Sequence, residues 1–181
     1  SSFIPEILQN TMRLKNIELC NHGSMNTHNL IAPNLIKFSK GNFLARQTFP
    51  ASDLNLTLLH HFKINKMILH VRDPRQAVIS WMYYLQNRGK RFKNNIHPDQ
   101  ELTLLYWRYP KNLIDLNIDE QIEWHINNYY VENVKWIKSW IAFKKKNKLE
   151  LGGQVINIKL DIFFSTFENF VNDKKKFIVD I

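Results

Sequence analysis

An α/β fold, three layers with a mostly parallel sheet flanked by helices, is predicted from three features of the sequence. The run Met67–Val71 has the length and apolar composition of a strand buried in a parallel sheet. A polar corner follows it, and then apolar residues recur at the spacing of a helix, so strand gives way to helix within a few residues. The 181 residues, 44% hydrophobic and 13% aromatic, are enough for one packed core and argue against disorder, which makes 1–181 a single domain.

The elements follow in chain order. Ser2 suits a helix N-cap, Pro5 sits in the first turn, and Phe3, Ile4, Ile7 and Leu8 make an apolar stripe. The polar stretch 21–29 reads as a loop, and a short helix is expected from Pro33 to Phe38. A strand is predicted over 42–50, ending at Pro50. Ser52 and Asp53 then cap a helix that directs Leu54, Leu56, Leu58, Leu59 and Phe62 inward. After the Met67–Val71 strand, Asp73 caps a helix that tolerates Pro74 at its first position, and Ala77, Val78, Trp81, Met82 and Leu85 form its apolar face. The stretch 87–93, basic and containing Gly89, reads as a solvated loop. Residues 102–116 are aromatic and irregular, and 119–146 read as a long helical region with a core stripe. Gly152 and Gly153 turn the chain into a strand at 155–158, and a further strand precedes Phe167.

Net charge is +9, which suits an anionic partner. The lysines are scattered, and no RNA-recognition or zinc-finger pattern accompanies them, so nucleic acid is not the expected partner. His60 and His61 are adjacent and point roughly 100° apart on a helix, which makes them poor co-ligands, and no metal is expected. The single cysteine, Cys20, has no partner for an internal disulfide. No apolar run reaches the roughly 18 residues of a membrane span, and no secretory leader opens the sequence. A soluble, cytoplasmic protein is therefore the expectation.

The chemistry concentrates at the corner after Val71. Ligands of open α/β sheets sit outside the carboxyl ends of the strands, and a helix N-terminus there favours a phosphate. Arg72 contributes a permanently charged donor fork, Arg75 a second cation, and Ser80 a hydroxyl on the following helix.

Arg72-Asp73-Pro74-Arg75, with Ser80 behind it and aromatics beyond, resembles the 3'-phosphate-binding segment of the sulfotransferases that use 3'-phosphoadenosine 5'-phosphosulfate (PAPS). That resemblance implies a scaffold related to the P-loop nucleotide-binding folds, with Arg72 and Ser80 holding the donor's 3'-phosphate. Ser1-Ser2-Phe3-Ile4 is similar to the end of the family's 5'-phosphosulfate loop, whose lysine and glycine are not in this sequence. Ser1 and Ser2 would then face the donor's 5' side. The strand ending Arg46-Gln47-Thr48-Phe49-Pro50 is similar to one that ends Lys-Thr-His-Leu-Pro. Arg46 falls on the lysine that contacts the transferring group, while Thr48 replaces the histidine that serves as base in the cytosolic branch. Phe167-Glu168-Asn169-Phe170 resembles a Tyr-Glu-Asp-Leu segment, which would put Phe167 near the adenine. The family's C-terminal glycine-rich loop has no counterpart here, so the domain is expected to be incomplete at both ends.

The implied activity is sulfuryl transfer from PAPS, as co-substrate, to a hydroxyl or amine of a small-molecule or glycan acceptor, without a metal. His125 is the candidate base, because it lies in the region where the family varies with its acceptor. Two other readings stand beside this one: a P-loop nucleotide kinase or phosphotransferase, and a basic nucleotide- or nucleic-acid-binding domain without catalysis.

Overall fold

The computed structural model describes residues 3–20, 28–93 and 113–172. Helices and strands alternate along most of the chain. Two compact units result, Ser1–Leu69 with Trp136–Phe164 and His70–Lys135 with Ser165–Ile181. Among the described residues the strands form three separate pairs rather than one continuous sheet.

In the first unit, α1 (Phe3–Met12) leads into β1 (Lys15–Asn16), and α2 (Ala32–Ser39) into β2 (Phe43–Leu44). β1 and β2 pair in parallel, Lys15 opposite Phe43 and Asn16 opposite Leu44. The strand predicted over 42–50 is thus only two residues long. Beyond it, side chains take the hydrogen-bonding groups that a neighbouring strand would otherwise use. The Phe49 carbonyl accepts from the indole N–H of Trp136 (2.7 Å) and of Trp140 (3.0 Å). Pro50 has no N–H to give, and its carbonyl accepts from the Asn55 amide at 2.9 Å.

Ser52 caps α3 (Asp53–His61), accepting from the Asn55 N–H. The buried face of α3 differs from the sequence reading at two neighbouring positions. Leu54 is 51% exposed, whereas Asn55 is fully buried. Asn55 earns its place through hydrogen bonds: its carbonyl oxygen accepts from Leu30 N (2.8 Å), and its amide donates to the carbonyls of His28 and Pro50. One amide side chain thereby ties two loops to a helix, with no polar atom left to desolvation alone. Burial also pushes the Cys20 thiol up to about 11, which marks it as a core residue rather than a nucleophile.

The α3 helix ends with Lys63 in the left-handed region (φ 55°), and the Ile64 N–H returns to the Leu59 carbonyl. Helix α6 (Val131–Lys146) ends the same way, with Asn147 at φ 49°. Trp140, Phe143 and Leu35 pack into the core of this unit, Trp140 edge-on to Phe49 at 5.6 Å. Strands β4 (Lys148–Leu151) and β5 (Gln154–Asn157) form an antiparallel hairpin. Gly152 and Gly153 both have positive φ, as a two-residue hairpin turn needs.

Strand β3 (Lys66–Val71) pairs with β6 (Asp161–Thr166). The second unit takes its carboxyl ends together with α4 (Pro74–Lys93), a 3₁₀ turn (Leu113–Asp115), α5 (Ile118–His125) and α7 (Phe167–Asn172). Helix α4 runs on to Lys93, through the stretch read as a basic loop. One interior glycine costs a helix only about 1 kcal/mol against alanine, too little to end it. Asn117 and Glu120 cap α5 reciprocally, side chain to backbone in both directions. The long helical region predicted over 119–146 is interrupted by a π-helical turn, Ile126–Tyr130. Two asparagines serve the carbonyls that such a turn frees: Asn128 donates to Trp124 O and Asn133 to Tyr129 O. The face of α4 matches the sequence reading at Val78 and Met82, which are buried. No described helix is long and apolar enough to cross a membrane.

Candidate functional site

The corner between β3 and α4 is built as the sequence requires. β3 ends at Val71, Asp73 accepts the Arg75 N–H at 2.9 Å, and the Ala77 N–H bonds to the Asp73 carbonyl, so the helix begins at Pro74. That cap has a consequence for ligands. The Asp73 carboxylate already answers the positive end of α4, and the first turn is less open to an outside anion than the sequence alone suggests.

Arg75 is likewise committed. Its Nε lies 3.0 and 3.1 Å from the two Asp73 carboxylate oxygens, and its Nη2 donates to the second of them. Hydrogen bonds from Arg75 hold the Asp73 carboxyl down at about 2. The pair is therefore ionised and internally neutral at any physiological pH. Among the described residues the corner presents one uncompensated guanidinium, Arg72, instead of the two cations counted from the sequence.

Arg72 is held from two sides. Its Nε donates to the Gln76 amide oxygen at 3.2 Å, and its guanidinium carbon lies 4.6 Å from the centroid of the Phe167 ring. A cation over an aromatic face contributes about 0.5–2 kcal/mol, and here it also fixes the plane of the fork. Gln76 takes one of the five N–H donors of Arg72. Among the described residues no acceptor takes the other four. Ser80 stands one turn beyond Gln76 on the same row of the helix and is exposed. The Arg72–Gln76 bond thus ties the guanidinium to the residue one turn before Ser80.

Behind this pair, the His70 Nδ1 lies 2.9 Å from the buried Ser165 hydroxyl. His70 with Ser165 and Arg72 with Phe167 keep the same sequence offset, as residues on parallel neighbours do. The Asp161 N–H, donated to the Asn65 carbonyl where both strands begin, agrees with that sense. Gln76 and the His70–Ser165 pair escaped the sequence reading. The four-residue spacing of Arg72 and Gln76 was a usable signal; the strand pairing that joins residues 70 and 165 was not.

The remaining site residues fall as follows. Phe167 meets the Arg72 guanidinium, where the resemblance had set it beside an adenine. His125 is 1% exposed, edge-on to Trp124 and Tyr129. Burial lowers its pKa, so the ring is neutral at pH 7. Tyr129 stacks on Trp81, and Trp81 on Tyr84, at centroid distances of 5.5 and 5.1 Å. Arg46 belongs to the first unit. It is exposed beyond the carboxyl end of β2, in a cleft of about 380 Å³ that it shares with Glu6 and Glu18. Ser1, Ser2 and most of the aromatic stretch 102–116 lie outside the described residues. No group of three or more metal-ligating side chains occurs among the described residues.

Comparison with protein-family models, with curated proteins and with solved structures returns no match for this chain.

Proposed function

We propose that the chain is a PAPS-dependent sulfotransferase domain on a P-loop-like α/β scaffold, with Arg72 as the anchor of the donor's 3'-phosphate. One observation carries this reading. The guanidinium at the carboxyl end of β3 is braced by Gln76 and Phe167, keeps four N–H donors uncommitted among the described residues, and is bonded to the residue one helical turn before Ser80. A fixed fork fits a phosphate dianion, which accepts two parallel N–H bonds from arginine, and the resemblance assigns the Ser80 hydroxyl to the same phosphate.

PAPS supplies an activated sulfuryl group when bound. Transfer forms a bond from the acceptor oxygen or nitrogen to sulfur and breaks the sulfur–oxygen bridge to the 5'-phosphate, and the acceptor's proton passes to a base. The chain's contribution to such a step is positioning and fixed positive charge. Arg72 and Ser80 hold the nucleotide, and Phe167 holds Arg72. The resemblance assigns Ser1 and Ser2 to the donor's 5' side and Arg46 to the transferring group. His125 keeps the base role that the resemblance implies only if the packing of Trp124 and Tyr129 over its 1%-exposed ring opens to the acceptor. The acceptor is a small molecule or a glycan.

Incubation with radiolabelled PAPS and separate pools of phenols, amines and saccharides tests the activity. Label moving to one pool, and slowed in Arg72→Ala at subsaturating PAPS, is the expected result. A chain that binds the nucleotide yet labels no pool would overturn the enzymatic part of the reading.

A further inference from the structure

A cleft of about 560 Å³ opens in the first unit where β3 and β6 begin. Three lysines line it, and each comes from a different part of the chain. Lys66 is the first residue of β3, Lys146 the last of α6, and Lys159 lies between β5 and β6. Asn65, Asn147 and Asn157 also line it, and among the described residues Asp161 is its one acidic residue. All three lysines are exposed, and among the described residues none of them forms an ion pair.

Complementing the negative end of α6 accounts for Lys146. It does not account for Lys66 or Lys159, which stand at no helix terminus. Three like charges around one concavity focus a positive potential there, a standing repulsion that an anion relieves. Ammonium groups on flexible stems meet an oxyanion as point charges, without the planar match of a guanidinium, and asparagine amides donate beside them. Among the described residues the lining contains no aromatic ring, so they offer a nucleic-acid base nothing to stack on and the oxyanion itself is what they select.

We propose that this cleft is a second oxyanion site, which takes sulfate or phosphate either as the free ion or as a monoester. It is independent of the Arg72 corner and stands whether or not the chain transfers sulfuryl groups.

The test is a titration of ¹⁵N-labelled full-length chain with inorganic sulfate and with glucose 6-sulfate, ionic strength being held constant with sodium chloride. Saturable shifts of the Lys66, Asn147 and Lys159 amides are expected. Removing two of the three charges in Lys66→Gln/Lys159→Gln should weaken binding about fivefold or more, while Lys66→Arg/Lys159→Arg and Arg72→Ala should leave it unchanged. A tighter fit for the sugar ester identifies a monoester ligand, and equal binding identifies the free ion; both support the site. Shifts that never saturate, that chloride alone reproduces, or that persist undiminished in the glutamine variant would overturn it.

Discussion

Replacing Arg72 by alanine should separate the 3'-phosphate from the rest of the nucleotide. Two charge-assisted bonds from the guanidinium to a phosphate contribute roughly 1.5–3 kcal/mol each. Arg72 is only partly buried, so solvent screening favours the lower end of that range, about 3 kcal/mol in all, or roughly 150-fold in affinity. The fold should tolerate the change. What the protein itself loses is the Gln76 bond and the contact with Phe167, about 1 kcal/mol at a partly exposed position. Lysine at the same position keeps the charge but not the planar fork, and should recover all but about tenfold of the affinity. The assay is calorimetry with 3'-phosphoadenosine 5'-phosphate and, in parallel, adenosine 5'-phosphate. The first should weaken by about two orders of magnitude in Arg72→Ala, and the second should change by less than about threefold. Equal losses for both nucleotides would mean that Arg72 acts through the fold, and no loss for either would refute its assignment.

Four further outcomes follow from the same geometry. Ser80→Ala should weaken the 3'-phosphorylated nucleotide by about tenfold, one charge-assisted hydrogen bond, and an unchanged affinity would remove the hydroxyl from the site. Asn55→Ala strands the buried Leu30 N–H and releases the His28 and Pro50 carbonyls; urea denaturation should show a loss of about 3 kcal/mol, and a loss below about 1 kcal/mol would contradict the clamp. Lys63→Gly relieves a left-handed residue at the end of α3 and should raise stability by about 1 kcal/mol, whereas destabilisation would show that the lysine side chain matters more than its φ. Burial lowers the His125 pKa from its ordinary 6.5, so the folded chain binds fewer protons than the unfolded one below that pH. Stability is then complete above about pH 6.5 and declines as the medium is acidified through that value, a decline that His125→Gln should flatten; identical pH profiles for the two proteins would show that the ring titrates alike in both states.

Local chemistry was the legible part of the fold. Asp73 and Pro74 announced the start of α4, Ser52 that of α3, and the paired glycines the hairpin, because each acts on backbone within a few residues. Long-range pairing was not legible. Where β3 meets β6, and hence that Ser165 faces His70 and Phe167 faces Arg72, depends on residues about a hundred positions apart. Asn55 illustrates a second limit. An asparagine on an apolar helix face reads as solvent-facing until the three backbone groups that it satisfies are brought to it by other segments. The corner itself was read correctly in outline and miscounted in charge, because the Asp73–Arg75 clamp follows from side-chain geometry that spacing does not specify. The π-helical turn, with its two asparagine bonds, had no periodicity of its own to betray it.

The most direct measurement of the central claim is the affinity ratio of the unmodified chain for 3'-phosphoadenosine 5'-phosphate over adenosine 5'-phosphate, taken across a salt series. A ratio of about a thousand that shrinks as salt rises is the expected result, since two bonds from Arg72 and one from Ser80 to the same phosphate set it. A ratio near one at every salt concentration would mean that the Arg72 corner does not read the 3'-phosphate, and the sulfotransferase reading would fall with it.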